Sequence, residues 1–291
     1  MRQVSAPQLA QLLIKRTEPT AAPILLHDRV AHLIIDEGLA SSLDIAFEIA
    51  ETVLPAVRVM MSRFQADAES EGTAWRVELY GSGEEWIRGA SFADMSLEAS
   101  VQKVRANRAH VSEVKAELVS LDPSEFERGC TTILKALGCD EPHTSPIRDD
   151  GGIDFYGQLK LKGRLDAGLP LGGVDARANV WLLGQAKHYP TRPIQTAALR
   201  ELVGSVELAR TGGAIHTWEG LTLNPFDASL MLMFSTGHFT SGSRTLLAQT
   251  GILAMNGEQL ATFLCDVGLG FDSADNSFDA TEFRRRLLDS T

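Results

Sequence analysis

The chain has 291 residues, 44% hydrophobic and 22% charged, which is enough apolar material for one large or two ordinary folded domains and excludes a largely disordered protein. A formal net charge of −11 excludes a surface that is basic all round, as in proteins that coat nucleic acid, but leaves room for a local basic groove. Cys130, Cys139 and Cys265 lack metal-ligand spacing and read as reduced, buried thiols. No apolar run approaches the roughly 20 residues of a membrane helix, and "MRQVSAPQLAQLLIKR" lacks the pattern of a signal peptide, so a cytoplasmic protein with no membrane role is expected.

Neither an internal repeat nor a low-complexity tract interrupts the chain. The pattern predicts a first amphipathic helix over 7–15 and a long apolar-rich segment over 43–64 that Pro55 interrupts. "AWRVELYGSGEEWIRGASF" reads as two strands joined by a Gly-Ser-Gly turn, and "SLEASVQKVRANRAHVSEVKAELVSL" as one helix leading out. These elements make residues 1–121 a small α+β domain. Its 12 basic and 17 acidic side chains name no partner.

Beyond Leu121 the signals sharpen. In "LDPSEFERGCTTILKALG", Asp122 is the N-cap, Pro123 the first helical residue, Glu125 the closing acid of a capping box and Gly138 the stop. Phe126, Cys130, Ile133, Leu134 and Leu137 form the apolar stripe, and Glu127 stands at its edge. A strand is predicted over 153–161, with Ile153, Phe155, Leu159 and Leu161 on one face and Asp154, Tyr156, Gln158 and Lys160 on the other. A glycine-rich connection over 162–178 leads to a second strand in "NVWLLGQAKHY", where Gln185 and Lys187 share a face. A helix follows to about Arg210, then a doubly covered strand in "ASLMLMFST", then helix, strand and helix. The expected architecture over 122–270 is an α/β/α sandwich with a mixed sheet, closed by a tail helix within 271–291.

The stretch "DDGGID", residues 149–154, has two readings: an Asp-Gly turn entering a strand, or half of a metal site. Phosphodiester hydrolysis needs charge stabilised on the phosphate, an activated water and help for the leaving oxygen, all of which Mg²⁺ held by oxygen ligands can supply. An Asp at the start of one strand, faced by two residues two apart on the next, suits that task. Gln185 offers an amide oxygen, Ala186 a backbone carbonyl, Lys187 a cation aimed at the attacking water, and Glu127 a carboxylate from the packing helix.

From Phe126 to about Leu264, the segments "SEFERG", "DGGID", "GQAKHY", "LRELVGSV", "FSTGHFTSGS" and "GILAMNGEQLATFL" follow one another in an order that resembles the catalytic domain of Mrr-like restriction endonucleases, within the PD-(D/E)xK nuclease superfamily. The resemblance implies a restriction-endonuclease-like fold and Mg²⁺-dependent DNA cleavage, with Mn²⁺ able to substitute, in restriction or another anti-phage defence. Carried over by position, Asp154, Gln185 and Lys187 are the core catalytic residues, Glu127 is the helix acid, and Asp150 is a less central acid of the site. Two departures stand out: 30 residues separate Asp154 from Gln185, and Asp149 stands where the family tends to have glycine. The upstream half does not clearly match the winged-helix domain that many Mrr-like proteins carry.

Arg148, Lys160 and Arg200 flank the expected site and are candidates for phosphate contact, as are Thr236 and Thr240 of "STGHFT", although Thr240 equally suits a helix cap. His188 alternates to the opposite strand face and reads as a packed histidine. Arg284, Arg285 and Arg286 read as a solvated helix face before a nucleic-acid grip. DNA is the expected partner. A homodimer would serve cleavage of both strands, and residues 1–121 would recognise DNA or a defence partner, or sense a signal. The competing readings are a non-catalytic binding module on a nuclease scaffold, and the same chemistry on RNA or branched DNA.

Overall fold

A computed structural model describes residues 5–145, 152–164, 178–212, 218–272 and 275–289. The chain divides into two compact units, the first running to His110 and taking in Asp275 and Asn276, the second beginning at Val111 and resuming at Ser277. The sequence places this division near 121. It falls earlier because the expected single helix is two, α4 (Ala99–Arg108) and α5 (Val111–Ser120), and α5 buries Val114 and Leu118 in the core of the second unit. No glycine or proline marks the break at Ala109 and His110.

Ahead of α4 the first unit contains α1 (Ala6–Arg16), β1 (Ile24–Leu25), α2 (Leu26–Asp36), α3 (Leu43–Glu71), β2 (Val77–Tyr80) and β3 (Trp86–Gly89). Leu9, Leu13, Leu26, Val30, Ile34, Ala50, Val57 and Ile87 are among the side chains that fill its core. The strands form an antiparallel sheet in the order β1-β3-β2. Helix, strand, two helices and a hairpin, with the first strand against the third, is the connectivity of a winged helix, which the sequence of this half conceals. Its first strand is two residues long and α3 extends to 29, running straight through Pro55. Pro55 and Glu51 are both exposed, so water can take the hydrogen bond that the missing proline N–H leaves unmade.

The second unit continues with α6 (Pro123–Ala136), β4 (Asp140–Thr144), β5 (Phe155–Lys160), β6 (Asn179–Lys187), α7 (Thr196–Thr211), β7 (Ser229–Ser235), α8 (Ser241–Gln249), β8 (Leu253–Met255), α9 (Gly257–Asp266) and α10 (Ala280–Leu288). The strands lie in the order β4-β5-β6-β7-β8, antiparallel from β4 to β6 and parallel from β6 to β8. Phe126, Cys130, Phe155, Ala186, Phe234, Leu260, Phe283 and Leu287 belong to the core on one side of this sheet, which α5, α6, α9 and α10 cover. On the other side Tyr156, Leu183, Met233, Leu199 and Leu202 belong to the core under α7. The unit is therefore the expected α/β/α sandwich with a mixed sheet.

Three details differ from the sequence reading. Strand β4 is additional: Pro142 and the bulge between Asp140 and His143, with Glu141 at φ 47°, hide an edge strand. Ile153 lies ahead of β5 and packs on the α7 side, away from Phe155. The tail helix α10 is part of the second core, through Phe283 and Leu287, and Thr132 Oγ1 of α6 donates to the Leu287 carbonyl at 2.8 Å.

Candidate active site

The capping box fixes the start of α6. The Glu125 N–H donates to Asp122 Oδ1 at 2.8 Å, and the Asp122 N–H donates to Glu125 Oε2 at 3.0 Å. Gly138, at φ 89°, ends the helix in the left-handed region. Between these ends Phe126, Cys130, Ile133 and Leu134 face the sheet and hold Glu127 half-buried beside it. Burial pushes the Cys130 thiol well above its usual range, and the carboxylates of Asp154 and Glu127 push it further.

Asp154 directly precedes β5 and is only 4% exposed. Its N–H donates to the Gly184 carbonyl of β6 at 2.8 Å, and its own carbonyl accepts from the Ser145 N–H at 2.9 Å. Oδ2 accepts from the Ala186 N–H at 2.7 Å. The carboxylate is therefore tied to the middle residue of Gln-Ala-Lys by a charge-assisted bond. Gly152 lets the segment come this close to α7: its φ is 81°, and a Cβ there would stand 2.2 Å from Ser205 Oγ.

Gln185 is 1% exposed on the α7 side of β6. With its amide turned to satisfy both of its atoms, the nitrogen donates to the Ala198 carbonyl at 3.3 Å and the oxygen accepts from Lys187 Nζ at 3.1 Å. The Lys187 backbone is pinned as well, its carbonyl accepting from Ser235 Oγ at 2.9 Å, from the Tyr189 N–H at 3.0 Å and from the Thr236 N–H at 3.3 Å. Lys187 Nζ also lies 3.9 Å from Glu201 Oε2 on α7. Asp154, Gln185, Ala186 and Lys187 are thus gathered at adjoining ends of β5 and β6.

The other sequence candidates divide. Arg148 and Asp150 lie outside the described residues, as does most of the 162–178 connection. Lys160 stands at the far end of β5, about 20 Å of strand from Asp154, and pairs with Asp140 at 3.0 Å. Arg200 is exposed on α7, next to Glu201. The Thr236 hydroxyl is buried and has no hydrogen-bond partner among the described residues, so it is not presented to a phosphate in solvent. Thr240 caps α8, its Oγ1 accepting from the Ser243 N–H at 3.2 Å. His188 turns to the opposite side and packs against Phe126, with ring centroids 5.8 Å apart. Arg284 pairs with Glu125 at 2.6 Å, Arg285 with Glu282 and Asp289, and Arg286 with Glu282, so the triple arginine is engaged within the unit.

Glu201, Ser205 and Ser235 were not singled out by sequence reasoning. Ser235 falls within "FSTGHFT" and the other two within "LRELVGSV", but an acid or serine on a helix carries no mark of its tertiary contact. Among the described residues no three His, Cys, Asp or Glu side chains come together. A cation here would draw on the Gln185 amide oxygen and the Ala186 carbonyl beside the Asp154 and Glu127 carboxylates. That all-oxygen set suits a hard divalent ion such as Mg²⁺. No helix among the described residues is long and apolar enough to cross a membrane.

A solved structure described as MspJI restriction endonuclease in complex with a 27-mer oligonucleotide is 17% identical, with a TM-score of 0.39 over 68% of this chain and 40% of that one. The DNA modification-dependent restriction endonuclease AspBHI is 15% identical, with a TM-score of 0.38 over 69% of this chain and 44% of that one. The chain therefore spans about two fifths of the length of these structures. No curated protein matches it. The Mrr_cat family model, described as restriction endonuclease, matches residues 118–264, half of the chain and the segment that carries Glu127, Asp154, Gln185 and Lys187. The chain belongs to this Mrr-type restriction endonuclease family.

Proposed function

We propose that the protein is a divalent-metal-dependent DNA endonuclease, serving restriction of the type IV kind or another anti-phage defence. The observation that supports this reading most directly is the 2.7 Å bond from the Ala186 N–H to Asp154 Oδ2, which locks the acid against the Gln-x-Lys segment of the neighbouring strand. Asp154, the Gln185 amide oxygen and the Ala186 carbonyl would hold Mg²⁺ or Mn²⁺, with Glu127 completing the set directly or through water. The bound ion would neutralise charge on the scissile phosphate and lower the pKa of a water. Phosphodiester hydrolysis joins a water oxygen to phosphorus and breaks one P–O ester bond, while one proton leaves the water and one reaches the departing oxygen. Lys187, held beside the Gln185 oxygen, orients that water and assists its deprotonation. The buried Gln185 and the Asp154 backbone fix these groups before substrate arrives. Arg200, exposed on α7 beside Glu201, would contact a phosphate, and the first unit would recognise DNA or a partner, or sense a signal. A homodimer would supply a second site for the opposite strand.

Calorimetric titration with Mn²⁺ tests the metal assignment. The wild type should bind, and Asp154→Asn should weaken binding at least tenfold while melting with the wild-type transition; equal affinities would contradict the assignment. Cleavage of methylated and unmethylated plasmid, RNA and branched DNA, run in parallel, identifies the substrate. Preference for RNA over both plasmids would overturn DNA as the substrate, and preference for branched DNA would replace plain duplex with a branched one.

A further inference from the structure

Helix α7 touches the site at three residues that share one face. The Ala198 carbonyl faces the Gln185 amide, Glu201 faces Lys187, and Ser205 packs where a Cβ of residue 152 would be. Spacings of three and seven residues put all three in one row along the helix. The outer two contacts anchor neutral groups. The middle one brings a carboxylate to 3.9 Å from the ammonium, with the Lys187 side chain 20% exposed and that of Glu201 56% exposed.

We infer that Glu201 is a positioning residue for Lys187, setting where the ammonium stands rather than holding the fold together. Lysine carries a compact charge on a flexible four-carbon stem, and its rotamers scatter unless something selects one. The backbone of Lys187 is fixed by Ser235, Thr236 and Tyr189, but those bonds leave the stem free to turn. Among the described residues, the neutral Gln185 oxygen at 3.1 Å and the oppositely charged Glu201 carboxylate at 3.9 Å stand at its end. An ion pair so open to solvent adds little to stability, so its effect belongs to geometry. The inference rests on the proposed role of Lys187 and adds a residue that acts through it.

The test uses the full-length protein carrying Glu201→Ala, Glu201→Gln or Glu201→Asp, with Lys187→Ala alongside. Nitrogen relaxation of the Lys187 ammonium, assigned by its disappearance in Lys187→Ala, reads the positioning without any substrate. Its order parameter should fall in Glu201→Ala and Glu201→Gln and recover largely in Glu201→Asp, with all three melting like the wild type. In metal-supported cleavage, kcat should fall about 10- to 100-fold in the Ala and Gln variants, with KM for DNA unchanged or lower, because misplacing a reacting group costs rate rather than binding. An unchanged ammonium order parameter overturns the inference, as does a kcat equal to wild type. So does a loss of rate that merely follows a lowered melting temperature. If Lys187→Ala itself cleaves normally, the catalytic reading of Lys187 fails, while the ammonium measurement still decides whether Glu201 holds it.

Discussion

Gly152 shows how one residue sets the geometry of the acid two positions later. Its φ of 81° lies in the region open to glycine, and the missing Cβ makes room for Ser205 Oγ. Gly152→Ala therefore adds a left-handed penalty of roughly 1–2 kcal/mol to a clash with α7. In urea denaturation it should destabilise the second unit by at least that amount. Gly152→Ala with Ser205→Ala should relieve the contact with Oγ but leave the backbone penalty and a 3.2 Å approach to the Cβ of residue 205, so the double variant should lie between Gly152→Ala and wild type. Equal losses in the single and double variants would show that α7 does not press on this position. Gly184 serves a similar end on the other side of the sheet, where a Cβ would meet the Phe155 ring at 2.0 Å. That room lets Phe155 stack on Phe234 at 5.0 Å. Asp154, Gln185 and Lys187 could be singled out because their types suit metal chemistry and their segments follow the order seen in the Mrr-like family, whereas spacing alone left "DDGGID" open between a turn and half of a metal site. Glu201 could not, because what distinguishes it from any exposed helix acid is a contact made only in the folded chain.

At the scale of the element, α6 and α10 show how far local chemistry reaches. The capping box, the apolar stripe and the glycine stop of α6 are all local, and all are legible in sequence. The docking of α10 on α6 is not, since "EFRRRLLDS" read alone is a charged terminal helix. In the fold the Arg284 hydrogen bond holds the Glu125 carboxyl below its ordinary value of 4.5, helped by the Asp122 N–H. Arg285 and then Arg286 hold Glu282 down to about 2. A carboxyl with a lowered folded pKa stabilises fully above its unfolded value and loses that contribution as pH falls through the folded one. The contacts of α10 should therefore weaken between pH 4.5 and about 2. Arg284→Gln removes the first cause of the Glu125 shift, so its acid transition, followed by circular dichroism, should begin at higher pH than in the wild type. Superimposable acid transitions would contradict the role given to this pair. Elements that escaped the sequence reading did so for physical reasons. Strand β4 carries a proline and a bulge at a sheet edge, α3 tolerates Pro55 on an exposed face, and α4 parts from α5 without a breaker residue.

For the whole molecule, the net charge of −11 and the family match fit together if the basic contacts are local. The fold of the second unit was legible because its strands carry apolar runs and its helices carry caps. The winged-helix connectivity of the first unit was not, because it rests on a two-residue strand pairing with a hairpin sixty residues away. The division of labour proposed here puts chemistry in residues after Val111 and recognition before it. Its central claim is that Lys187, beside Asp154 and Gln185, drives phosphodiester cleavage. The most direct measurement is conversion of supercoiled plasmid to nicked and linear forms in Mg²⁺, by wild type and by Lys187→Ala with matched thermal transitions. The account predicts metal-dependent cleavage by the wild type and a loss of at least about 100-fold in Lys187→Ala. Cleavage by Lys187→Ala at the wild-type rate would contradict it.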